Sequence, residues 1–257
     1  MTDKRPRRSR EELREVLLET GGSVLREEGL PALTFKRVFD RLEEQTGTRI
    51  TNASVIRRVW ENLAAFQADV VVAVALDEND NEIDATMGAV APVLGTVDRH
   101  SPRSREEALR ELCRVGGAAN MEAMRQSSSW PLWINIWGLA VSAEPYDYRK
   151  RIEAALVSGY DAFNERIEDV YTAMTAFLGF RLRDSFTLRQ FTVAADALGE
   201  GFGMRDRVDD STMAGILRNT GPGGQAQEWT LFAVAFEALV LQFFEIDPDW
   251  RPDATPP

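Results

Sequence analysis

A short stretch at residues 50 to 60, ITNASVIRRVW, carries side chains that could contact a nucleic-acid duplex. Its first part contains four small or polar residues, Thr51, Asn52, Ala53 and Ser54. At the first turn of a helix, such residues let the backbone and side chains reach base edges in a major groove roughly 12 Å wide. Arg57 and Arg58 follow one to two turns later, where one could contact a phosphate and the other a guanine edge. This pattern predicts hydrogen bonding and charge pairing to DNA; an arginine pair on a merely solvated helix face is the alternative.

The charge of the chain is unevenly distributed. The 257 residues have a net charge of −11. Residues 1 to 60 hold 13 Lys and Arg against 10 Asp and Glu, a net charge of +3, whereas the remainder has a net charge of −14. A mildly basic amino end on an acidic body favours binding of a polyanion through that end alone. A chance segregation of charge is the alternative.

A basic arm precedes the first predicted helix. It has the sequence KRPRRSR at residues 4 to 10, and Arg5, Arg7 and Arg8 are its candidate contacts. Short basic arms of this kind lie along phosphates or enter a minor groove. A disordered tail that promotes solubility is the alternative.

Helical periodicity runs through almost the whole chain. The spacing of apolar residues and the candidate capping residues predict helices at about residues 9–28, 35–44, 52–59, 62–76, 82–97, 104–126, 130–142 and 147–178. Two more helices are marked by bulky apolar residues from Leu188 to Phe202 and from Trp229 to Phe243. No alternation of Val, Ile and Thr is long enough to predict a sheet. The predicted fold class is therefore all-α.

The N-terminal part has the plan of a helix-turn-helix head, because two helices and a short polar-faced helix precede a longer connecting helix. Residues 10 to 66 resemble the amino-terminal domain of the tetracycline-repressor (TetR) family. The matching positions are Leu33-Thr34, Val38-Phe39, Ile50-Thr51, Ala53 and Val55 to Val59. The departures are Ile56, Arg58 and Val59 where the family has tyrosine, histidine and phenylalanine, Asn62 in place of a lysine, and a longer stretch from Asp40 to Arg49. The phosphate contact that the family makes through its tyrosine is therefore expected from Arg57 or Arg58.

The resemblance implies a function and a division of the chain. The expected parts are a three-helix DNA-binding domain with its basic arm at residues 1–66 and a larger helical effector-binding and dimerisation domain at residues 67–247. A proline-rich flexible tail is predicted at residues 248–257. Thr34, Lys36 and Arg37 of the second helix join the predicted DNA contacts. The family suggests a repressor that binds a palindromic operator as a homodimer and is released by a small ligand.

The homodimer is expected to form through the last two helices of each subunit, packed as a four-helix bundle. Aromatic stripes near the end of a chain need a partner that covers them. The predicted interface residues are Leu188, Phe191, Phe202, Trp229, Phe232, Phe236 and Phe243. Burial of these side chains within the monomer is the alternative.

An aromatic stripe is the candidate wall of an effector pocket. The candidate residues are Trp130, Trp133 and Trp137 on one helix face, Met121 and Met124 on the preceding helix, and Tyr160 and Phe163 on the long helix. Ligand pockets are typically apolar and aromatic with few polar groups, which favours a small hydrophobic or aromatic effector. Ordinary core packing is the alternative for every one of these residues.

The composition argues against an enzyme and against a metal site or a cofactor. The chain has one histidine, His100, one cysteine, Cys113, no glycine-rich phosphate loop and no Gly-x-Ser-x-Gly motif. The acidic run at residues 77–82 lacks the glycine that a calcium loop needs at its sixth position. We therefore expect no catalytic residue, no bound metal and no cofactor.

The single cysteine and the lack of a leader pattern or a long apolar stretch predict a cytoplasmic protein without a membrane segment. A second functional hypothesis stays open beside the DNA-binding regulator. It is a TetR-like dimer that has lost DNA binding and acts as a ligand-sensing or partner-binding scaffold.

Overall fold

The computed structural model describes residues 9–47, 53–76, 81–127, 129–141, 148–209 and 215–252. The fold is all-α, as the helical periodicity predicts. The described helices are α1 (Arg10–Glu28), α2 (Phe35–Thr46), α3 (Leu63–Ala75), α4 (Asn81–Leu94), α5 (Pro102–Gln126), α6 (Trp130–Val141), α7 (Arg149–Leu178), α8 (Leu188–Val208) and α9 (Leu231–Phe243). Short 3-10 helices occur at Leu30–Ala32, Ala53–Arg58 and Pro222–Gly224. None of the described helices is long and apolar enough to cross a membrane.

Capping residues set the helix ends in the N-terminal part. Ser9 and Glu12 form a capping box at the start of α1, and Gly29, with a φ of +83°, follows its last residue. At the start of α2 the Thr34 hydroxyl accepts a hydrogen bond from the backbone N–H of Arg37. Because these caps are local in sequence, the ends of α1 and α2 were predicted to within two residues.

Among the described residues, four three-residue strands form two small antiparallel sheets, which no alternation in the sequence predicted. The pairs are β1 (Phe180–Leu182) with β4 (Phe244–Ile246), and β2 (Ile216–Arg218) with β3 (Gln227–Trp229). A strand of three residues is too short to display a period of two, which is the signal that sequence patterns rely on.

The elements pack as two compact units. Unit 1 comprises the described residues of 1–78 and 128–161, and unit 2 comprises those of 79–127 and 162–257. The helix α7 therefore contributes its first part to unit 1 and its remainder to unit 2. The domain boundary predicted at residue 66 separates a DNA-binding part from an effector-binding part. It is a division by function, and it stays a prediction.

The core of unit 1 extends beyond the N-terminal helices. Helices α1 and α3 approach closely, since a Cβ on Gly21 would lie 2.8 Å from Val70 Cγ2. Phe66 of α3 is fully buried between them, and Ile136 of α6 and Ile152 of α7 belong to the same core. The first three helices of the chain are thus held by a core to which α6 and α7 also contribute.

The core of unit 2 is formed by α4, α5, α8 and α9 with the end of α7. Its buried members include Leu112, Leu178, Phe191, Trp229 and Val240. Several of these side chains are aromatic or large aliphatic groups, whose burial provides the main stabilisation of such a unit.

Trp250 packs against the end of α7, although the sequence predicts a flexible tail there. Its indole N–H donates to the carbonyl oxygen of Ala176 at 2.7 Å. The guanidinium groups of Arg105 and Arg99 lie 4.4 Å and 5.3 Å from the centre of its ring. Residues 253–257 of the predicted tail lie outside the described residues.

Candidate nucleic-acid interface

The predicted recognition helix is a six-residue 3-10 helix, Ala53–Arg58, where a helix at about 52–59 was predicted. A 3-10 helix has three residues per turn and is narrower than an α-helix. Thr51, Asn52 and the arm residues Arg5, Arg7 and Arg8 lie outside the described residues. For Ala53 and Ser54 the structure describes the backbone alone, so the predicted base contacts of this turn stay predictions.

Two buried side chains anchor this 3-10 helix in unit 1. Ile56 is fully buried and Trp60 is 5% exposed. The Trp60 ring packs edge-on against Phe66 with 4.9 Å between ring centres. Val59 is half-buried and packs on the same core. Ile56 and Val59 therefore face the core of unit 1, and the buried Ile56 is not available for the phosphate contact that the family makes through its tyrosine.

Arg57 and Arg58 lie on the opposite side of this anchor and are exposed. No carboxylate among the described residues forms an ion pair with either guanidinium. Lys36, in the first turn of α2, is also exposed and has no ion pair among the described residues. Three of the predicted cationic contacts are thus available to an external anion.

Arg37 is engaged within unit 1, unlike Lys36 beside it. Its guanidinium lies 2.7 Å from Glu28 and 3.1 Å from Glu44, and these hydrogen-bonded carboxylates raise the pKa of Arg37. Arg41 joins the same cluster through Glu27 at 2.6 Å and Glu28 at 2.9 Å. We call these five residues the α1–α2 ion cluster.

Two of the predicted DNA contacts, Arg37 and Thr34, also have structural roles. Arg37 is paired with Glu28, and the Thr34 hydroxyl accepts the capping hydrogen bond of α2. Glu27 and Glu28 also lie in the last turn of α1, where negative charge is unfavourable for the helix dipole. The arginines neutralise that charge, and the DNA contacts predicted for Thr34 and Arg37 stay predictions.

Asp69 of α3 holds the segment that follows the 3-10 helix. One of its oxygens accepts hydrogen bonds from the Trp60 indole and from Arg14 of α1, each at 2.9 Å. The other oxygen accepts from Arg151 of α7. Burial alone would raise the pKa of Asp69, but the hydrogen bonds from Trp60, Arg151 and Arg14 outweigh it and lower the pKa below its usual value. One carboxylate thus ties three parts of unit 1 to α3.

Sequence reasoning missed Asp69, although a signal was present. It is the sole charged residue within α3, whose sequence is LAAFQADVVVAVA. A carboxylate in an otherwise apolar helix needs buried partners, because an unpaired buried charge is strongly unfavourable.

The predicted effector residues fall into both units. In unit 1, Trp133 packs edge-on against Trp137 with 6.3 Å between ring centres, and Trp137 packs in the same way against Tyr160 at 6.1 Å. The Trp137 indole nitrogen is buried and has no hydrogen-bond acceptor among the described residues. Trp130 is buried. The structure therefore brings Trp133, Trp137 and Tyr160 together on the core of unit 1.

The remaining predicted effector residues belong to unit 2. Met121 and Met124 of α5 are buried there, and Phe163 of α7 is half-buried. Their burial is what ordinary core packing requires, and the effector site stays a prediction.

Three of the predicted dimer residues are used within their own unit. Phe191, Trp229 and Phe232 are at most 5% exposed and pack in unit 2. Burial within the monomer was the alternative for them, and we withdraw their assignment to an interface. Leu188, Phe202, Phe236 and Phe243 are half-buried. The aromatic stripe marks the inner face of α8 and α9, because large rings gain most from full burial.

The outer faces of α8 and α9 carry the apolar side chains that sequence reasoning overlooked. The exposed members are Val193, Met204 and Val208 on α8, and Leu231 and Leu241 on α9. They are smaller than the aromatic residues of the inner face, and their spacing was hidden beneath that stronger pattern.

No protein-family model matches the chain, and no curated protein matches it. The resemblance to the head of the TetR family therefore depends on the order and spacing of the residues between Leu33 and Val59.

Proposed function

We propose that the chain is a sequence-specific DNA-binding regulator whose recognition element is the 3-10 helix Ala53–Arg58 together with the residues just before it. The observation that carries this proposal is the exposed pair Arg57 and Arg58, which has no ion pair among the described residues and lies next to the buried anchors Ile56 and Trp60. An anchored helix presents its charges at a defined position, which favours contact with a specific site over diffuse attraction.

The acidity of the rest of the chain supports the same proposal. Residues beyond 60 have a net charge of −14, which repels the DNA backbone and lowers non-specific affinity. Arg57, Arg58 and Lys36, which have no ion pair with any described residue, then supply the local attraction.

The proposed assembly is a homodimer that binds a palindromic operator and represses transcription until a small apolar or aromatic ligand releases it. Support for a dimer comes from the exposed apolar side chains on the outer faces of α8 and α9, including Met204 and Leu231. A second copy of the same surface would cover them around a two-fold axis.

The deciding experiment is a binding titration of the full chain against the DNA upstream of its own gene, at several salt concentrations. We expect wild-type binding to weaken steeply with salt, because phosphate contacts release counterions. The double variant Arg57→Ala/Arg58→Ala should bind at least tenfold more weakly, since one base contact alone contributes about 1–3 kcal/mol. The matched control is Arg103→Ala, which removes an exposed arginine of unit 2.

Two outcomes would contradict the proposal in different ways. Retained, salt-insensitive binding by the double variant would refute the assigned recognition element. Failure of the wild type to bind any genomic fragment would favour the second hypothesis, a ligand-sensing or partner-binding scaffold, which the replacement of the family's tyrosine by the buried Ile56 also supports.

A further inference from the structure

A cavity of about 300 Å³ lies within unit 2 between α5, α9 and the β1–β4 pair. Its apolar lining includes Leu109, Cys113, Phe180, Val240 and Phe244. Four of these side chains are at most 8% exposed, and they form the apolar floor of the cavity. Its volume is at the lower end of the range typical of small-molecule sites, roughly 300–1,000 Å³.

The two carboxylates beside this floor are already saturated by arginines. Glu237, which is buried, accepts from Arg110 through one oxygen and from Arg218 through the other. Glu245 is shared in the same way between Arg181, at 2.7 Å, and Arg183, at 2.9 Å. Each carboxylate therefore has two guanidinium partners, and Asp184 and Asp247 also interact electrostatically with Arg181.

Arg110 and Arg183 line the cavity and have unused donors. Among the described residues, the Arg110 guanidinium donates through its Nε and the Arg183 guanidinium through one Nη. A guanidinium has five N–H donors, so most of them stay free in both residues. Their side chains are 40% and 43% exposed, which places these donors at the mouth of the cavity rather than in its floor.

We propose that this cavity binds a small monocarboxylic acid with an apolar body. The carboxylate is received by the free donors of Arg110 and Arg183, and the apolar body lies on the floor formed by Phe180, Val240 and Phe244. Guanidinium groups form strong charge-assisted hydrogen bonds with carboxylates. The proposal does not depend on DNA binding, since its site and its test concern unit 2 alone.

Glu106 provides a second prediction, because removal of its charge should have the opposite effect on binding to removal of an arginine. It lines the cavity, is exposed, and has no ion pair among the described residues. Its negative charge repels an anionic ligand at the mouth. Removing that charge should therefore strengthen binding of an acid, whereas it would weaken binding of a cation.

The experiment is isothermal titration of the full chain with three probes that share an eight-carbon body: octanoate, octan-1-ol and octylammonium. We expect one octanoate per chain, bound at least about tenfold more tightly than the other two, because charge-assisted hydrogen bonds are stronger than neutral ones. Equal binding of octanoate and octan-1-ol, tighter binding of octylammonium, or no binding of octanoate would each overturn the proposal.

Three variants locate the binding. Arg183→Gln leaves Arg181 on Glu245 and should weaken octanoate binding about tenfold. Glu106→Gln should strengthen it, and Arg103→Gln, an exposed arginine of the same helix outside the cavity, should leave it unchanged. An unchanged affinity in Arg183→Gln, or a weakened one in Glu106→Gln, contradicts the assigned site.

Cys113 gives an independent readout at the floor. It is the single cysteine of the chain and is 3% exposed, and burial raises the pKa of its thiol. Bound octanoate should slow its labelling by a small thiol reagent under denaturant-free conditions. Labelling that octanoate does not slow would place the ligand elsewhere.

Discussion

Two pairs of arginines in unit 1 have the same chemistry and opposite surroundings. Arg37 and Arg41 are surrounded by Glu27, Glu28 and Glu44, whereas Arg57 and Arg58 are exposed without an ion pair among the described residues. The first pair stabilises the contact between α1 and α2. The second pair stabilises nothing that the structure describes, and so it is free to bind an external anion. The comparison teaches that the partners of a charge, rather than its residue type, separate structural from functional arginines.

We expect the largest loss of stability from a substitution of Asp69, whose carboxylate binds two arginines. Asp69→Asn keeps the shape of the side chain but removes the charge that Arg14 and Arg151 share. Because it leaves both arginines without a counter-charge, we expect a loss of about 2 kcal/mol in the free energy of unfolding, below the cost of breaking a fully buried pair. Urea denaturation measures this loss.

Glu107→Gln is the matched control for Asp69→Asn. It removes the partner of Arg103 at an exposed i,i+4 pair, and it should leave the unfolding curve unchanged. Equal curves for the Asp69 variant and the wild type would show that Asp69 does not hold unit 1 together.

The next effect compares the two arginine pairs directly. Arg37→Ala/Arg41→Ala leaves the carboxylates of Glu27, Glu28 and Glu44 close together without a counter-charge, and it should lower the urea midpoint. Arg57→Ala/Arg58→Ala should leave the midpoint at the wild-type value. Equal urea midpoints for the two double variants would show that the first arginine pair stabilises unit 1 no more than the second pair does.

The pH dependence of stability sharpens the same contrast. The hydrogen bonds of Asp69 hold its folded-state pKa below the unfolded value of about 3.9. The folded state then binds fewer protons, so this contribution to stability is present above the unfolded pKa and is lost as the pH falls through the folded pKa. As the pH falls below about 5, stability should decrease less steeply in Asp69→Asn than in the wild type, as measured by urea midpoints at each pH. If the urea midpoints of the variant and the wild type changed equally with pH, Asp69 would not contribute to stability through its lowered pKa.

Local signals explain which parts of this picture could be predicted from sequence. The capping box at Ser9 and the cap at Thr34 involve residues three positions apart, and they located α1 and α2. These features need no knowledge of tertiary structure.

Features that depend on distant partners could not be predicted. Arg14 and Arg151 reach Asp69 from 55 and 82 positions away, and a single sequence does not pair such residues. For the same reason, the sequence did not show that Arg37 pairs with Glu28, which belongs to another helix. It also assigned Phe191 to a dimer interface, because a stripe shows that one face is buried without showing what covers it.

The smallest expected effect concerns Lys36, the third cation available beside the arginine pair. If the proposed interface is correct, Lys36 contacts a phosphate, and Lys36→Ala should weaken binding equally on all DNA sequences. It should also reduce the slope of log affinity against log salt by about 0.9 for the one contact removed. Lys150→Ala, the matched control, removes another exposed lysine of unit 1 and should leave the slope unchanged. A weakened affinity with an unchanged slope would mean that Lys36 acts on the fold of unit 1, and the interface would then consist of the arginine pair without α2.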